Sequence, residues 1–228
     1  MSAHRSPAAR LGAAALGATL LLTACGNDGG GGDDGDGGSE GGEPLPEPEY
    51  DSDESVRLPM GLVTPAGHAE NTPIDDDGHM EIEDDSENVQ MIESARSDVF
   101  GCEDTISVIT TVPTVTEDPT SGALGYLIAD EEPTHGEPEF INLLTEFEDL
   151  SLESAELDDD VVTVELTGEA PPVDACAGAR IHAQIEATAR AASGAAEAEL
   201  LLDGEPLSEA LGIEEPDPLE LTQITSRD

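Results

Sequence analysis

No lysine and only seven arginines stand against 53 carboxylates in these 228 residues, so any fold of this chain must hold together while carrying a formal net charge of −46. The acid is not confined to a tail. Residues 97–228 hold 32 Asp and Glu against Arg180, Arg190 and Arg227, so the apolar-patterned part of the chain is itself strongly negative. Such a surface repels DNA, RNA and anionic lipid head groups and attracts cations or basic partners, which excludes nucleic-acid binding. At roughly 1 M salt the Debye length falls to about 3 Å, and self-repulsion of this size is then screened. The missing lysines and the acid in both halves therefore point to a salt-rich exterior.

The first residues are an address. Arg5 and Arg10 precede an apolar stretch from Leu11 to Thr23, and Leu22-Thr23-Ala24-Cys25 ends it with small residues and a cysteine. That order resembles a bacterial lipoprotein signal peptide, with residues 1–24 removed and Cys25 lipidated. The apolar run is about half of the roughly 20 residues a membrane-spanning helix needs. Cleavage would leave an anchored chain facing the exterior of the cell membrane.

Residues 26–50 hold ten glycines, eight acids and three prolines with no base, too little apolar surface to offset the entropy of ordering. The stretch 25–87 is expected to be a disordered tether whose ends lie roughly 40 Å apart as a flexible coil. Its one apolar cluster, residues 56–63, reads as a docking peptide or a stray strand; its proline and glycine favour neither, and it is assigned to the linker. Two acidic clusters fail a calcium-loop test. In Asp34-Gly35-Asp36-Gly37 with Glu43, the first ligand position falls on Gly32. In Asp75-Asp76-Asp77-Gly78 it falls on Pro73, with Asp84 where a bidentate Glu belongs. Weak cation condensation is the expected behaviour, with no specific metal site.

Periodicity appears from Asn88. Val89, Met91 and Glu93 alternate with Gln90 and Ile92 as a short strand, then Ile106, Val108, Thr110 and Val112 alternate with polar neighbours more clearly, and Pro113 closes that strand. Asp118-Pro119 is a cap and first-turn pair for a helix through Leu124, Leu127 and Ile128, which Glu131-Glu132-Pro133 stops. Phe140, Leu143, Leu144 and Phe147 predict a short second helix. Two strands, 150–157 and 161–167, flank Asp158-Asp159-Asp160 as a hairpin. Asp174 caps a helix to Ser193 with Ile181, Ile185, Thr188, Ala189 and Ala192 on one stripe and Gly194 past its end. Residues 196–202 alternate as a last strand. The order predicts an α+β fold, a small mixed or antiparallel sheet with two main helices on one face, spanning 88–210, followed by an acidic C-terminal tail at 211–228.

With Cys25 lipidated, Cys102 and Cys176 remain. Outside the cytosol a disulfide is their expected state, and closing a loop of about 75 residues would stabilise the fold by about 4 kcal/mol on the chain-entropy model. Two buried free thiols are the alternative. A zinc site is poorer, because the histidines His68, His79, His135 and His182 are scattered and no Cys-x-x-Cys occurs.

Five short stretches in order resemble one family. They are Gly101-Cys102-Glu103-Asp104 before a strand, Tyr126-Leu127-Ile128-Ala129-Asp130-Glu131 at a helix end, Val161-Val162-Thr163-Val164-Glu165-Leu166-Thr167-Gly168-Glu169, Ala179-Arg180-Ile181-His182-Ala183-Gln184-Ile185, and Leu202-Asp203-Gly204-Glu205-Pro206-Leu207. Over about 97–210 the chain is similar to a GerMN domain, and more narrowly to actinobacterial lipoproteins that carry one. The resemblance implies a binding or assembly module of the envelope, without catalytic residues or cofactors. Arg180 and Gln184 match the family's Arg-x-x-x-Gln on the long helix and are the candidate binding residues. For Arg180 a structural pairing with Asp174 or Glu165 is the stronger expectation, and His182, beside the apolar stripe, is read as a surface residue.

Abundant carboxylates do not make a glycosidase, which needs two of them placed across a sugar. There is no tryptophan, Tyr50 and Tyr126 are the only tyrosines, and no Gly-x-Ser-x-Gly, His-Glu-x-x-His or phosphate loop occurs. The sequence therefore predicts a non-catalytic, lipid-anchored module that contacts an envelope protein or wall component. A wall-glycan or small-ligand binder is the alternative.

Overall fold

The computed structural model describes residues 44–64, 66, 79–80, 93–136 and 139–226. The expected signal peptide, Cys25, both acidic loops and the strand read at Val89 and Met91 lie outside the described residues. The strands are β1 (Ser55–Val56), β2 (Pro59–Thr64), β3 (His79–Met80), β4 (Glu93–Ser97), β5 (Thr105–Thr110), β6 (Thr114–Val115), β7 (Thr134–His135), β8 (Phe140–Ile141), β9 (Ser151–Asp158), β10 (Val161–Thr167), β11 (Glu197–Leu202), β12 (Glu205–Pro206), β13 (Leu221–Gln223) and β14 (Thr225–Ser226). The α-helices are α1 (Pro119–Ala129), α2 (Ala175–Ser193) and α3 (Leu207–Leu211). The fold is α+β.

A mixed sheet in the order β12-β11-β10-β9 forms from one continuous stretch of chain. β9 and β10 make the expected antiparallel hairpin, with Val161 opposite Asp158 and Asp159 at φ +52, a conformation that Asp tolerates better than most residues. The register shifts between Glu165 and Leu166, leaving Glu153 as the extra residue of a bulge. β10 and β11 run parallel, joined by α2 as the crossover, and Val162, Val164 and Leu166 line up with Ala198, Leu200 and Leu202 on the buried face. Asp203-Gly204 then turns the chain back into β12 with both residues at positive φ, +52 and +80, as a two-residue hairpin requires.

Both long helices lie on one face of this sheet, α1 over β9 and α2 over β10 and β11. α1 starts where Asp118 accepts from the Ser121 N–H at 3.0 Å. α2 starts where Asp174 accepts from Ala177 at 2.9 Å and ends at Gly194, φ +72, whose N–H reaches the Arg190 carbonyl. The apolar stripe of α2 was expected on one side only, yet every residue from Ile181 to Ser193 is buried. The cause is a second sheet. Ile181, Ile185 and Ala189 belong to the core under the mixed sheet, whereas Ala183, Ala187 and Ala191 pack with Val63, Ala95, Ile106 and Val108 of a six-stranded antiparallel sheet. Alanine on that side lets the helix backbone approach closely.

The antiparallel sheet has the order β13-β4-β5-β2-β8-β7 and corrects three expectations. Residues 59–64, assigned to the linker, are β2, paired along its whole length with β5 and bridged to β8 through Val63 and Ile141. All six residues are buried, so the polar alternation that marks a half-exposed strand is absent. The supposed tail at 211–228 supplies β13, antiparallel to β4, and buries Leu219 and Leu221. The segment 140–147, read as a helix, is instead β8 followed by a 3-10 turn at Leu143–Glu146, capped by Asn142, which accepts from Leu144. Two small ribbons, β1 with β6 and β3 with β14, complete the pairing among the described residues.

Candidate functional site

The two cysteines and the helix arginine form one staple. Cys102 and Cys176 are disulfide-bonded, with their Cα atoms 5.8 Å apart. Arg180, one turn along α2 from Cys176, places Nε 2.6 Å and Nη2 2.5 Å from Oδ2 of Asp104, two residues beyond Cys102. A covalent and an ionic link thus tie the same loop to the same helix. Arg180 does not pair with Asp174 or Glu165; Asp104 takes that place because the Gly101-Cys102-Glu103 turn, with Gly101 and Glu103 at positive φ, swings it onto α2. The Asp104 carboxylate is nearly inaccessible, while a third of the Arg180 side chain stays exposed.

Gln184 is fully buried and committed to the protein. Its Oε1 accepts from the Leu143 N–H at 2.8 Å, and its Nε2 donates to the Gly61 carbonyl at 3.2 Å and to Asn142 Oδ1 at 3.4 Å. Thr188, one turn on, accepts from the Gly61 N–H at 2.9 Å. Both main-chain polar groups of Gly61 therefore bond to α2 rather than to a neighbouring strand. Only glycine permits this approach, because a Cβ at position 61 would sit 2.9 Å from the Ala187 Cβ and 3.0 Å from the Gln184 carbonyl. Asn142 extends the network to the Leu127 carbonyl and to Asp130, whose carboxylate also meets His135 Nε2 at 2.6 Å.

A third polar stripe was missed in the sequence. His182, Glu186 and Arg190 follow one another at helical spacing on α2, and all three are buried. His182 is therefore an interior residue, not a surface one. Glu186 accepts from the Leu219 N–H at 2.9 Å, and Arg190 Nη1 donates to the Leu219 carbonyl at 2.6 Å and to Glu186 at 3.0 Å. The C-terminal segment is thereby clamped to the helix by both main-chain polar groups of one residue. Burial pushes the His182 imidazole below its ordinary value, although Glu186 and Glu215 pull the other way. Charged residues spaced four apart in an alanine-rich helix were the available signal. Among the described residues no group of three or more His, Cys, Asp and Glu side chains is arranged to hold a metal ion, and no helix is long and apolar enough to cross a membrane.

Comparison with known families places part of this architecture. A family model described as "Germane: Sporulation and spore germination" covers residues 98–208. Residues 98–208 match a Germane domain. No curated protein and no solved structure matches the chain. The Germane region contains the disulfide, Asp104, Arg180, Gln184, the whole mixed sheet, α1 and α2, and it ends within the first turn of α3. It excludes β2, β4 and β13, three of the six strands in the antiparallel sheet.

Those flanking segments, with two residues of the Germane region, line a half-open cavity of about 120 Å³. Leu45, Pro46, Pro48 and Pro59 wall it, and Ala191 of α2 is the contribution from the helix. Arg57, exposed and donating from Nη1 to the Thr111 carbonyl at 3.3 Å, stands at its edge. Arg57 directly follows the β1–β6 ribbon, which carries exposed apolar residues. Val115 lies opposite Ser55, and Tyr50 bridges to Val56 and donates its hydroxyl to the Thr116 carbonyl. Tyr50 is 49%, Val112 72% and Val115 75% exposed, whereas the phenylalanines Phe140 and Phe147 are buried in the main core.

Proposed function

We propose that this chain is a non-catalytic contact module of the cell envelope, anchored in the membrane through a lipid on Cys25, facing the exterior and held off the bilayer by its acidic tether. The observation that carries the reading is the Germane match at 98–208, a family described by sporulation and spore germination. Two features of the geometry support a role in contact rather than in turnover. The buried polar side chains, Gln184, Asn142, Glu186 and Asp104, are engaged in links between elements of the fold. Three of the exposed apolar residues, by contrast, Tyr50, Val112 and Val115, lie on segments that border a small cavity, where a partner can reach them.

The lipid anchor is tested by growing cells on radiolabelled palmitate. The expected result is label in the membrane fraction on the wild-type chain and none on Cys25→Ala. A full-length product that stays in the cytosol with Arg5 and Arg10 intact would remove the proposed address. The contact role is tested by in-cell photo-crosslinking from position 112, expected to capture one envelope protein reproducibly. Turnover of added wall fragments by the isolated chain would replace this reading with an enzymatic one.

A further inference from the structure

The cavity walled by Leu45, Pro46, Pro48 and Pro59 has the size and chemistry of a receptacle for one side chain. Drug-sized ligands need roughly 300–1,000 Å³, and an apolar cavity of about 150 Å³ takes a benzene-sized group. At about 120 Å³ this one fits a single branched aliphatic side chain. Its proline walls carry no backbone N–H, so they offer an incoming group van der Waals contact and no donors. Arg57 is the exposed donor at the edge, placed to meet a main-chain carbonyl that follows the inserted side chain into position.

The surroundings define the rest of the partner. Val112 stands exposed next to Thr111, whose carbonyl accepts from Arg57 at the cavity edge, and the exposed Tyr50 ends the arm that carries Leu45, Pro46 and Pro48. The arm that forms the proline wall carries Glu47, Glu49, Asp51, Asp53 and Glu54, all exposed. A mostly apolar cavity reached past an arm of exposed carboxylates, on a chain of formal net charge −46, complements an apolar residue flanked by basic ones. A second copy of this chain carries the same acid and is repelled.

We propose that this cavity is a docking site for a protein partner that inserts one leucine-, isoleucine- or valine-like side chain, flanked by Lys and Arg, with its neighbours resting on Tyr50 and Val112. This names the partner chemistry for the contact role proposed above and rests on that reading. The site is built mostly from residues outside 98–208, the stretch that the family model matches.

The test uses the full-length chain in detergent and two fluorescent peptides, Lys-Arg-Lys-Leu-Arg-Lys-Arg and the same peptide with Gly at its centre. The Leu peptide is expected to bind at least about tenfold more tightly than the Gly peptide. Gln223 of β13 also lines the cavity and is itself exposed, so Gln223→Trp, which narrows the cavity, is expected to erase that preference while leaving Gly-peptide binding unchanged. Val99→Ser, at an exposed valine elsewhere, is expected to change neither. Equal binding of the two peptides, or a preference that survives Gln223→Trp in a variant with wild-type melting, overturns the proposal. So does concentration-dependent self-association that Gln223→Trp abolishes, since the occupant would then be a second copy. None of these readouts involves Cys25, so their failure is separable from failure of the palmitate experiment.

Discussion

The two sheets of this protein are assembled by opposite means. The mixed sheet comes from one continuous run, β9 to β12, whose strands follow one another through a hairpin, a helical crossover and an Asp-Gly turn. The antiparallel sheet draws its strands from Pro59 to Gln223, and its central pair, β2 and β5, is separated by about 40 residues of chain. Between the two lies α2, which serves both with different residues. It turns isoleucines toward the mixed sheet, which has bulk to interlock, and alanines toward the antiparallel one, where Gly61 admits its backbone. Local pairing makes the first sheet nearly self-sufficient in connectivity, whereas the second depends on segments that must be brought from far along the chain.

The strongest break in that comparison is truncation to residues 98–208. This fragment keeps every strand of the mixed sheet but removes β2 from between β5 and β8, together with β4 and β13. It also removes the Leu219 peptide that Glu186 and Arg190 hold, leaving buried charges without those partners. The fragment is expected to lack cooperative unfolding and dispersed amide resonances, while residues 44–228 show both. A cooperatively folded 98–208 would mean that the antiparallel sheet is an accessory to the domain rather than half of it.

Reducing the disulfide acts on the join between the two halves of the fold. The bond spans 74 residues, from the turn before β5 to the first turn of α2, and on the chain-entropy model its loss costs about 4 kcal/mol. The Asp104–Arg180 pair remains and holds the same loop in place, so the reduced protein is expected to keep its native spectrum and unfold at lower urea. Chemical denaturation of the Cys102→Ser, Cys176→Ser double variant measures this. A midpoint equal to wild type would show that the ionic link alone suffices.

Legibility followed the same division. Asp174, Gly194, the hairpin around Asp159 and the alternation of β10 could be read directly, because caps, turns and half-exposed strands leave their marks within a few residues. β2 could not. Its residues are buried on both faces, so Pro59-Met60-Gly61-Leu62-Val63 shows no alternation, and its glycine, read as a sign of linker, is there to admit α2. The pairing of Arg180 was anticipated as structural but assigned to the wrong carboxylate, since the turn that delivers Asp104 is a matter of backbone conformation rather than composition. The polar stripe His182-Glu186-Arg190 was visible as spacing, yet its burial depends on β13 and the segment before it, which composition alone marks as tail.

Glycine-to-alanine exchange sharpens the contrast at the level of single atoms. At position 61 the added Cβ meets Ala187 and the Gln184 carbonyl at 2.9 and 3.0 Å, so Gly61→Ala is expected to destabilise the protein by about 1–3 kcal/mol through overpacking. At position 125, in the middle of α1, nothing lies within 4 Å, and Gly125→Ala is expected to stabilise it by about 0.5–1 kcal/mol by lowering the entropy of the unfolded chain. Urea midpoints of the two variants should move in opposite directions. Shifts of the same sign would remove the close helix–strand approach from the account of β2.

The smallest expected effect is a pH dependence at the place where the C-terminal segment crosses α2. His182 is buried, and desolvation disfavours its charged form more than the facing carboxylates of Glu186 and Glu215 favour it, so its folded-state pKa lies below the ordinary value of 6.5. The unfolded chain then binds a proton that the folded one resists. By linkage, this contribution to stability is fully present above about pH 6.5 and is lost as the pH falls from there toward the folded value. Between about pH 7.5 and 5.5, where Asp and Glu contribute least to the change, the urea midpoint is expected to drop for the wild type. His182→Gln, neutral across the window, should flatten that drop, and amide exchange should show residues 219–223 loosening first in the wild type. If the variant keeps the full wild-type slope, the proton sensed in this window binds elsewhere, and the link between the buried stripe and the C-terminal strand is packing without titration.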